Sequence, residues 1–303
     1  MTKYEIRRWI PLKIQRFIRA RRFKDEFIRN EKTRKEILNY YQNTTDEEIL
    51  EIVNYLKDNP LTFFNYKFSD YAYKKKIIMF FDNKCGMFYT NIDGKRLYFK
   101  RNMDANSAQN YICSIICEQN KLSPHSYHIE ELLKVKESIN IIDLGGAEGY
   151  FALRLIDKAE RVYVVECDNE WIEALKMTFL PWKNKVNIIS KAVGSSTTDK
   201  MITLSSLLEF EMRNIIKMDI EGMEVTVLRE MMKTSVLERC FGTRIIVCVY
   251  HNARDEEDIK SMFSKENVEI NINSGYIFFT AEQYYKPPYF RRGVMFISQK
   301  EKA

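Results

Sequence analysis

The stretch Asn140 to Leu153, NIIDLGGAEGYFAL, restricts the fold of this 303-residue chain more than any other segment. An apolar run is followed by Gly145, Gly146 and Gly149 and then by an apolar helix start. The glycines let the backbone turn sharply and approach a ligand, with the amides of the next helix facing it. From here the pattern alternates between strands and helices. Strands are predicted at Ile141–Leu144, Val162–Glu166, Val186–Ser190, Ile215–Asp219 and Ile245–Tyr250, with two late ones near Tyr276–Thr280 and Val294–Ser298. Such alternation predicts an α/β fold with a mostly parallel, Rossmann-like sheet covered by helices on both faces.

A glycine turn of this kind serves dinucleotides and S-adenosylmethionine alike, so the surrounding acids must discriminate. Asp143 closes the strand just before the turn, where a carboxylate attracts the cationic amino acid end of S-adenosylmethionine and repels a pyrophosphate. The spacing Asp143, Gly145, Ala147, Gly149 also departs from Gly-x-Gly-x-x-Gly. Glu166, 21 residues after Gly145, stands where an acid accepts hydrogen bonds from ribose hydroxyls. Cys167 is expected to flank the adenosine, and Ser190 and Lys191 the adenine edge. The predicted cofactor set is therefore Asp143, Gly145, Gly146, Ala147, Gly149, Glu166, Cys167, Ser190 and Lys191.

The N-terminal third has another character. Residues 1–36 hold thirteen Lys/Arg against five Asp/Glu, a local +8 that leaves the rest of the chain at −2. Trp9, Ile10, Ile14, Phe17, Ile18, Phe23, Phe27 and Ile28 are interleaved at roughly helical spacing, with Pro11 as an early stop or restart. The arm is expected to pack on the body or a second subunit, or to lie on an anionic membrane surface. No nucleic-acid-binding motif accompanies the charge, so no nucleic acid partner is expected. Thr45 with Glu48 reads as a capping box before Ile49, Ile52, Val53 and Leu56. Alternating segments at Ile77–Phe81, Met87–Asn91 and Leu97–Lys100 read as an antiparallel meander, followed by a helix from about Ala105 to Gln119. The organisation expected is an arm and helix over 1–60, a meander and helix over 61–122, and a catalytic domain over 123–303. No apolar run approaches the roughly 18 residues of a membrane span. The six scattered cysteines and the absence of a signal peptide suit a reduced, cytoplasmic location, at the inner membrane surface if the arm binds headgroups. Cys113 and Cys117, four apart, read as buried core, because no neighbouring Cys or His completes a zinc set.

Several ordered pieces of residues 105–298 resemble the FkbM family of methyltransferases: Glu118-Gln119 with Ser123 to Tyr127 (SPHSY), Ile142 to Gly149, Val164 to Glu166, Lys217 to Glu224 (KMDIEGME), and Cys248 to His251. The resemblance implies a seven-stranded Rossmann-like methyltransferase sheet, S-adenosylmethionine as donor, and O-methylation, frequently of sugars in glycans. One departure is Thr203 to Ser206 (TLSS), where Ser205 stands in a segment that often carries an Asp.

Methyl transfer to a hydroxyl needs alignment, exclusion of water, and removal of a proton by a base or acidification by a divalent cation. Asp219 ends the fourth strand, and Glu221 and Glu224 follow on the turn into a helix. Asp219 and Glu221 are expected to face the acceptor, as base or as ligands of a divalent cation, with Glu224 at the helix start or on the acceptor. His251, after the strand Ile245–Val249, is expected at the same rim, where a neutral imidazole suits a general base. His125, Tyr127 and His128 are candidate lid or acceptor contacts, and Arg291 and Arg292 could bind an acidic acceptor. Lys286 to Tyr289 resembles the Pro-Pro-Tyr element of amino-group methyltransferases of nucleic acids, but that element should follow the fourth strand. Two other readings stand beside this one: an NAD-dependent sugar-modifying enzyme, and a non-catalytic methyltransferase-like interaction protein.

Overall fold

The computed structural model describes residues 12–72, 76–210, 212–234, 240, 242–279 and 285–300, those of 12–24, 71 and 72 by their backbone alone. The chain forms two compact units, one of residues 1–67 and 278–290, the other of 68–277 and 291–303.

In the first unit a 29-residue helix, α1 (Leu12–Tyr40), precedes α2 (Glu47–Asp58). Ile37 of α1 and Ile49, Ile52, Val53 and Leu56 of α2 are all buried, and Arg34 Nη1 donates to Leu56 O at 2.7 Å. The cap of α2 is not the Thr45/Glu48 box. Asp46 accepts from the Glu48 and Ile49 amides instead, and Thr44 accepts from the Asp46 amide, because a shorter carboxylate one residue on reaches the first turn directly. Of the apolar stripe in the arm, Trp9 and Ile10 and the side chains of Ile14, Phe17, Ile18 and Phe23 lie outside the described residues, and Phe27 and Ile28 are exposed. Tyr289 of the Pro-Pro-Tyr element belongs to this unit, edge-on to Tyr40. No helix among the described residues is long and apolar enough to cross a membrane.

The second unit begins with the meander β1 (Phe80–Asp82), β2 (Met87–Ile92) and β3 (Lys95–Tyr98), then α3 (Ala105–Glu118). Cys113 and Cys117 are buried on α3. The glycine-rich turn joins β4 (Ile139–Leu144) to α4 (Tyr150–Leu155). Then follow β5 (Ala159–Glu166), α5 (Asn169–Thr178), β6 (Val186–Ser190), β7 (Arg213–Met218), α6 (Glu224–Lys233), β8 (Arg244–Cys248), α7 (Asp255–Met262), β9 (Val268–Ile272) and β10 (Val294–Gln299). Met87 and Tyr98 of the meander bury against Trp171 and Ala174 of α5, and the Tyr98 amide donates to Thr178 at 3.0 Å. The meander thereby belongs to the same compact unit as the large sheet.

The fold is a Rossmann-like α/β sheet of seven strands in the order β9-β10-β8-β7-β4-β5-β6. β10 runs antiparallel to β8 and β9, while β8-β7, β7-β4, β4-β5 and β5-β6 pair in parallel. The sixth strand is Val268–Ile272, not Tyr276–Thr280. The segment Val268 to Ile272 alternates apolar and polar residues as a half-covered edge requires, whereas Ile277 makes only an isolated bridge to Arg291. The central strands β4 and β7 are almost wholly buried, which explains the paired isoleucines Ile141-Ile142 and Ile215-Ile216 at their centres.

Candidate active site

Chain order and register bring two groups of residues to the carboxyl ends of β4, β7 and β8. The first is the glycine turn. The Gly145 and Gly146 amides donate to Val165 O at 3.0 and 3.1 Å, folding the chain back over β5. Gly145 has φ +73°, and a Cβ there would sit 2.0 Å from the Asp219 carbonyl oxygen. Only glycine allows this turn to lie directly on the end of β7. Ala147 (φ +42°) is also left-handed, and its amide donates to Glu166 Oε2 at 2.9 Å. The Cys167 and Asp168 amides donate to Glu166 Oε1, both at 2.8 Å. Glu166 therefore holds the tips of two loops together with a half-buried carboxylate whose oxygens can still accept hydroxyl protons. Ser190 pairs in register with Glu166; Cys167 and Ser190 are exposed and Lys191 is half-buried, with its Nζ donating to Thr198 O at 2.7 Å. A backbone cradle closed by one strand-end acid fits an adenosyl group, the ribose on Glu166 and the remainder over the turn.

Asp143 lies one residue before the end of β4, just ahead of the glycine turn. It is 1% exposed, and it is the register partner of Lys217 on the neighbouring strand. Lys217 Nζ stands 3.2 Å from Asp143 Oδ1 and donates to Gly145 O at 2.6 Å. Burial opposes the Lys217 charge, but the Asp143 and Asp219 carboxylates override it and hold the ammonium above its ordinary pKa. Asp143 is thus the anchor of a buried ion pair that fixes the glycine turn.

The second group surrounds Asp219. Tyr127 donates to Asp219 Oδ2 at 3.0 Å and Tyr250 to Oδ1 at 3.2 Å. Burial pushes both phenols well above their ordinary pKa and the Asp219 charge adds to it, so they remain protonated donors. Burial would also raise the Asp219 carboxyl, but Lys217, His125, His251 and the Tyr127 hydrogen bond outweigh it and lower its pKa. His125 is buried with Nε2 3.2 Å from the Tyr250 hydroxyl, and burial lowers its pKa to about 4, so the ring is neutral. His128 packs against Phe296 instead. The segment that carries these residues is clamped from outside: Pro124 O accepts from the Val294 amide at 3.0 Å, and Gln119 Oε1 accepts from the Tyr127 amide at 3.0 Å.

His251 sits at the same rim with Nε2 3.4 Å from Asp219 Oδ1 and 3.8 Å from Glu221 Oε2. Its Nδ1 lies 3.0 Å from Oε1 of Glu224, which also accepts the Ile220 amide at 2.9 Å. Burial works against the imidazolium, yet the Glu224 hydrogen bond and charge, with Asp219 and Glu221, raise its pKa. Glu224 is thus a fully buried carboxylate behind the imidazole, a partner that the sequence did not reveal. Arg291 Nη1 donates to the carbonyls of Tyr250 (2.8 Å) and His251 (3.1 Å), which holds the end of β8 in place. Arg292 lies over the Tyr276 ring. Ser205 bonds to Glu230 and Thr234, alongside α6.

Two further groups escaped sequence reasoning. Tyr111 donates to Glu148 Oε2 at 2.8 Å, and burial raises the Glu148 carboxyl. Glu118, half-buried at the end of α3, is pushed up to about 8 by burial and by the Asp219 and Glu148 charges. The only local hint was that Glu118-Gln119 closes a helix just before the SPHSY segment.

No protein-family model matches this chain, and no curated protein matches it in sequence. Among solved structures, it is similar to precorrin-6y C5,15-methyltransferase from Geobacter metallireducens at 12% identity over 57% of this chain and 85% of that one, TM-score 0.38. It is also similar to a SAM-dependent O-methyltransferase from Thermotoga maritima at 12% identity, over 71% and 78% of the two chains, TM-score 0.37. An rRNA methylase from Streptococcus thermophilus gives 10% identity over 60% and 99%, TM-score 0.38. Likenesses this distant carry no functional weight, which rests on the side chains above.

Proposed function

We propose that this chain is an S-adenosylmethionine-dependent O-methyltransferase of the FkbM-like type, whose acceptor is a sugar hydroxyl in a glycan or glycoconjugate. The observation that carries the reading is the backbone contact between Gly145 and Asp219. It joins the nucleoside cradle to the cluster of Asp219, Tyr127, Tyr250 and His251 across two adjacent strands. When bound, S-adenosylmethionine supplies an electrophilic methyl group on a sulfonium. Glu166 receives the ribose hydroxyls, and the turn held by Lys217 and Asp143 fixes the donor's approach. On the other side of the contact, Asp219 and His251 meet the acceptor hydroxyl, and its proton passes to one of these two bases as the oxygen takes up the methyl group. Tyr127 and Tyr250 keep Asp219 in one orientation, and Glu224 does the same for His251. The sugar acceptor follows from the FkbM resemblance and from a rim rich in hydroxyl, imidazole and carboxylate groups.

Titration calorimetry with S-adenosylmethionine, S-adenosylhomocysteine and NAD tests the donor, followed by transfer of labelled methyl to a panel of glycans. Binding of both adenosyl ligands, lost in Glu166→Ala, with label on a sugar oxygen is the expected result. Binding of NAD alone, or of none of the three, overturns it.

A further inference from the structure

Three side chains of different chemistry meet where β7 and β8 end. His125 comes from the SPHSY segment, Asp219 follows the last residue of β7, and Cys248 is the last residue of β8. His125 Nε2 lies 3.7 Å from Asp219 Oδ2 and 3.8 Å from Cys248 Sγ, and one ligand atom from each of the three falls within 4.8 Å of the other two. Ligand atoms around a tetrahedral ion with bonds of about 2.0–2.3 Å stand roughly 3.3–3.7 Å apart. The two spacings about Nε2 therefore match a donor set or exceed it only slightly. The Tyr250 hydroxyl, 3.2 Å from Nε2, adds an oxygen at similar spacing.

A buried cysteine by itself is ordinary core packing. Here a buried cysteine and a buried histidine, brought from positions 123 residues apart, turn their polar atoms to the same carboxylate. The segment that delivers the imidazole is held firmly on the sheet. Pro124 O accepts from Asn273 Nδ2 at 3.2 Å, Ser126 O accepts from the same nitrogen at 2.8 Å, and the His125 amide donates to Ser123 Oγ at 3.1 Å. A Cβ on Gly293 would sit 2.1 Å from Pro124 O, so only glycine lets the start of β10 pass this close. Donors fixed by such supporting contacts are what a metal site requires. The charges also suit one ion. His125 is neutral, and burial with the Asp219 and Glu224 charges keeps Cys248 a thiol, so Asp219 is the one charged member of the three. A divalent cation that displaces the thiol proton leaves +2 against one thiolate and one carboxylate, a neutral set in a buried place.

We propose that His125 Nε2, Asp219 Oδ2 and Cys248 Sγ bind one Zn2+ ion, with the Tyr250 hydroxyl beside them. Thiolate and imidazole select zinc over Mg2+ and Ca2+, which take oxygen ligands. On binding, the Cys248 S–H bond breaks, the sulfur–zinc bond forms and the proton leaves to solvent; the ion keeps its oxidation state. Zinc would tie the SPHSY segment to the ends of both strands. A consequence for catalysis rests on the methyl transfer proposed above: an ion on Oδ2 takes up the Asp219 charge, so the acceptor proton passes to His251, whose Nε2 is 3.4 Å from Oδ1.

The test uses the full-length, metal-depleted chain without donor or acceptor, titrated with Co2+ as the spectroscopic substitute for Zn2+. One Co2+ per chain is expected, with the visible bands of tetrahedral cobalt and a near-ultraviolet thiolate-to-cobalt charge-transfer band, all displaced by Zn2+. Cys248→Ser should remove the charge-transfer band, with Cys248→Ala as the second variant if the serine chain does not fold. His125→Ala should weaken binding by roughly 100-fold or more, beyond the loss of an outer-shell partner. Cys85→Ser, on the meander, should leave the band in place. Circular dichroism and S-adenosylhomocysteine titration report whether each variant is folded. A wild type that binds neither Co2+ nor Zn2+, cobalt bound without the thiolate band, or a band unaltered in a folded Cys248 variant overturns the proposal. The donor titration separates the two readings. A chain that binds S-adenosylhomocysteine but no metal sinks this inference alone, whereas one that binds metal but no adenosyl ligand sinks the proposed function.

Discussion

Replacing Lys217 by Met removes the only cation within 4 Å of the buried Asp143 among the described residues, and its cost can be worked from the contacts. Breaking a buried ion pair by deleting one partner leaves an uncompensated charge, worth about 3–5 kcal/mol. Lys217→Met also loses the hydrogen bond to Gly145 O, roughly 1 kcal/mol. Restoring neutrality with a second substitution, Asp143→Leu, should return most of the first loss and leave about 1 kcal/mol, because an apolar pair of similar volume replaces an ion pair at little cost. Urea denaturation of the two single variants and the double variant measures the coupling. Calorimetry with S-adenosylhomocysteine supplies the second arm. If Asp143 acts only through Lys217 and the turn, the double variant regains both stability and ligand affinity. A double variant that is stable but does not bind would return Asp143 to direct contact with the ligand's cationic end. A double variant no more stable than the worse single one would refute the ion-pair argument itself.

Gly145→Ala should cost more than the roughly 1–3 kcal/mol of a left-handed non-glycine residue, because its Cβ would also meet the Asp219 carbonyl at 2.0 Å; a chain with unaltered denaturation midpoint and ligand affinity would contradict this. Glu224→Gln removes the largest contribution that holds the His251 pKa up and leaves only Asp219 and Glu221 against burial, so the imidazole should titrate at lower pH by NMR; an unmoved or raised value would show that Glu224 is not its partner. The same raised pKa sets a direction for stability. The folded state binds the His251 proton more tightly than the unfolded chain, so the wild type's advantage over His251→Gln is fully present below about pH 6.5. It should fade as pH rises through the folded value, and an advantage that grows with pH would contradict the assignment.

The strand–turn–helix at Ile141 and the alternation after it were legible because apolar periodicity and glycine placement are local properties. The edge of the sheet was not. Val268 to Ile272 alternates Val and Ile with Glu and Asn, but five residues between polar stretches give a weak signal beside the aromatic Tyr276 segment. Within the site, strand ends located Asp219, Glu166 and His251, since ligands of such sheets gather at the carboxyl ends. Partnerships stayed hidden because they depend on register. Asp143 meets Lys217 only because β4 and β7 align those two positions, and His251 meets Glu224 only because the turn after β7 folds against the end of β8.

Asp219 shows why local reading reaches the residue and not its role. Its backbone carbonyl is the surface on which Gly145 turns, and its side chain gathers two phenols and lies beside two imidazoles. Any displacement of the glycine turn therefore moves the carboxylate, and any repacking of Tyr127 or Tyr250 is transmitted to the turn. Donor affinity and acceptor chemistry should accordingly be coupled through this one residue, because interiors packed this closely transmit strain instead of absorbing it. Asp219→Asn, which preserves shape and removes charge, separates the two roles. It should leave adenosyl binding intact while abolishing transfer, whereas loss of both would mean that the charge itself holds the turn.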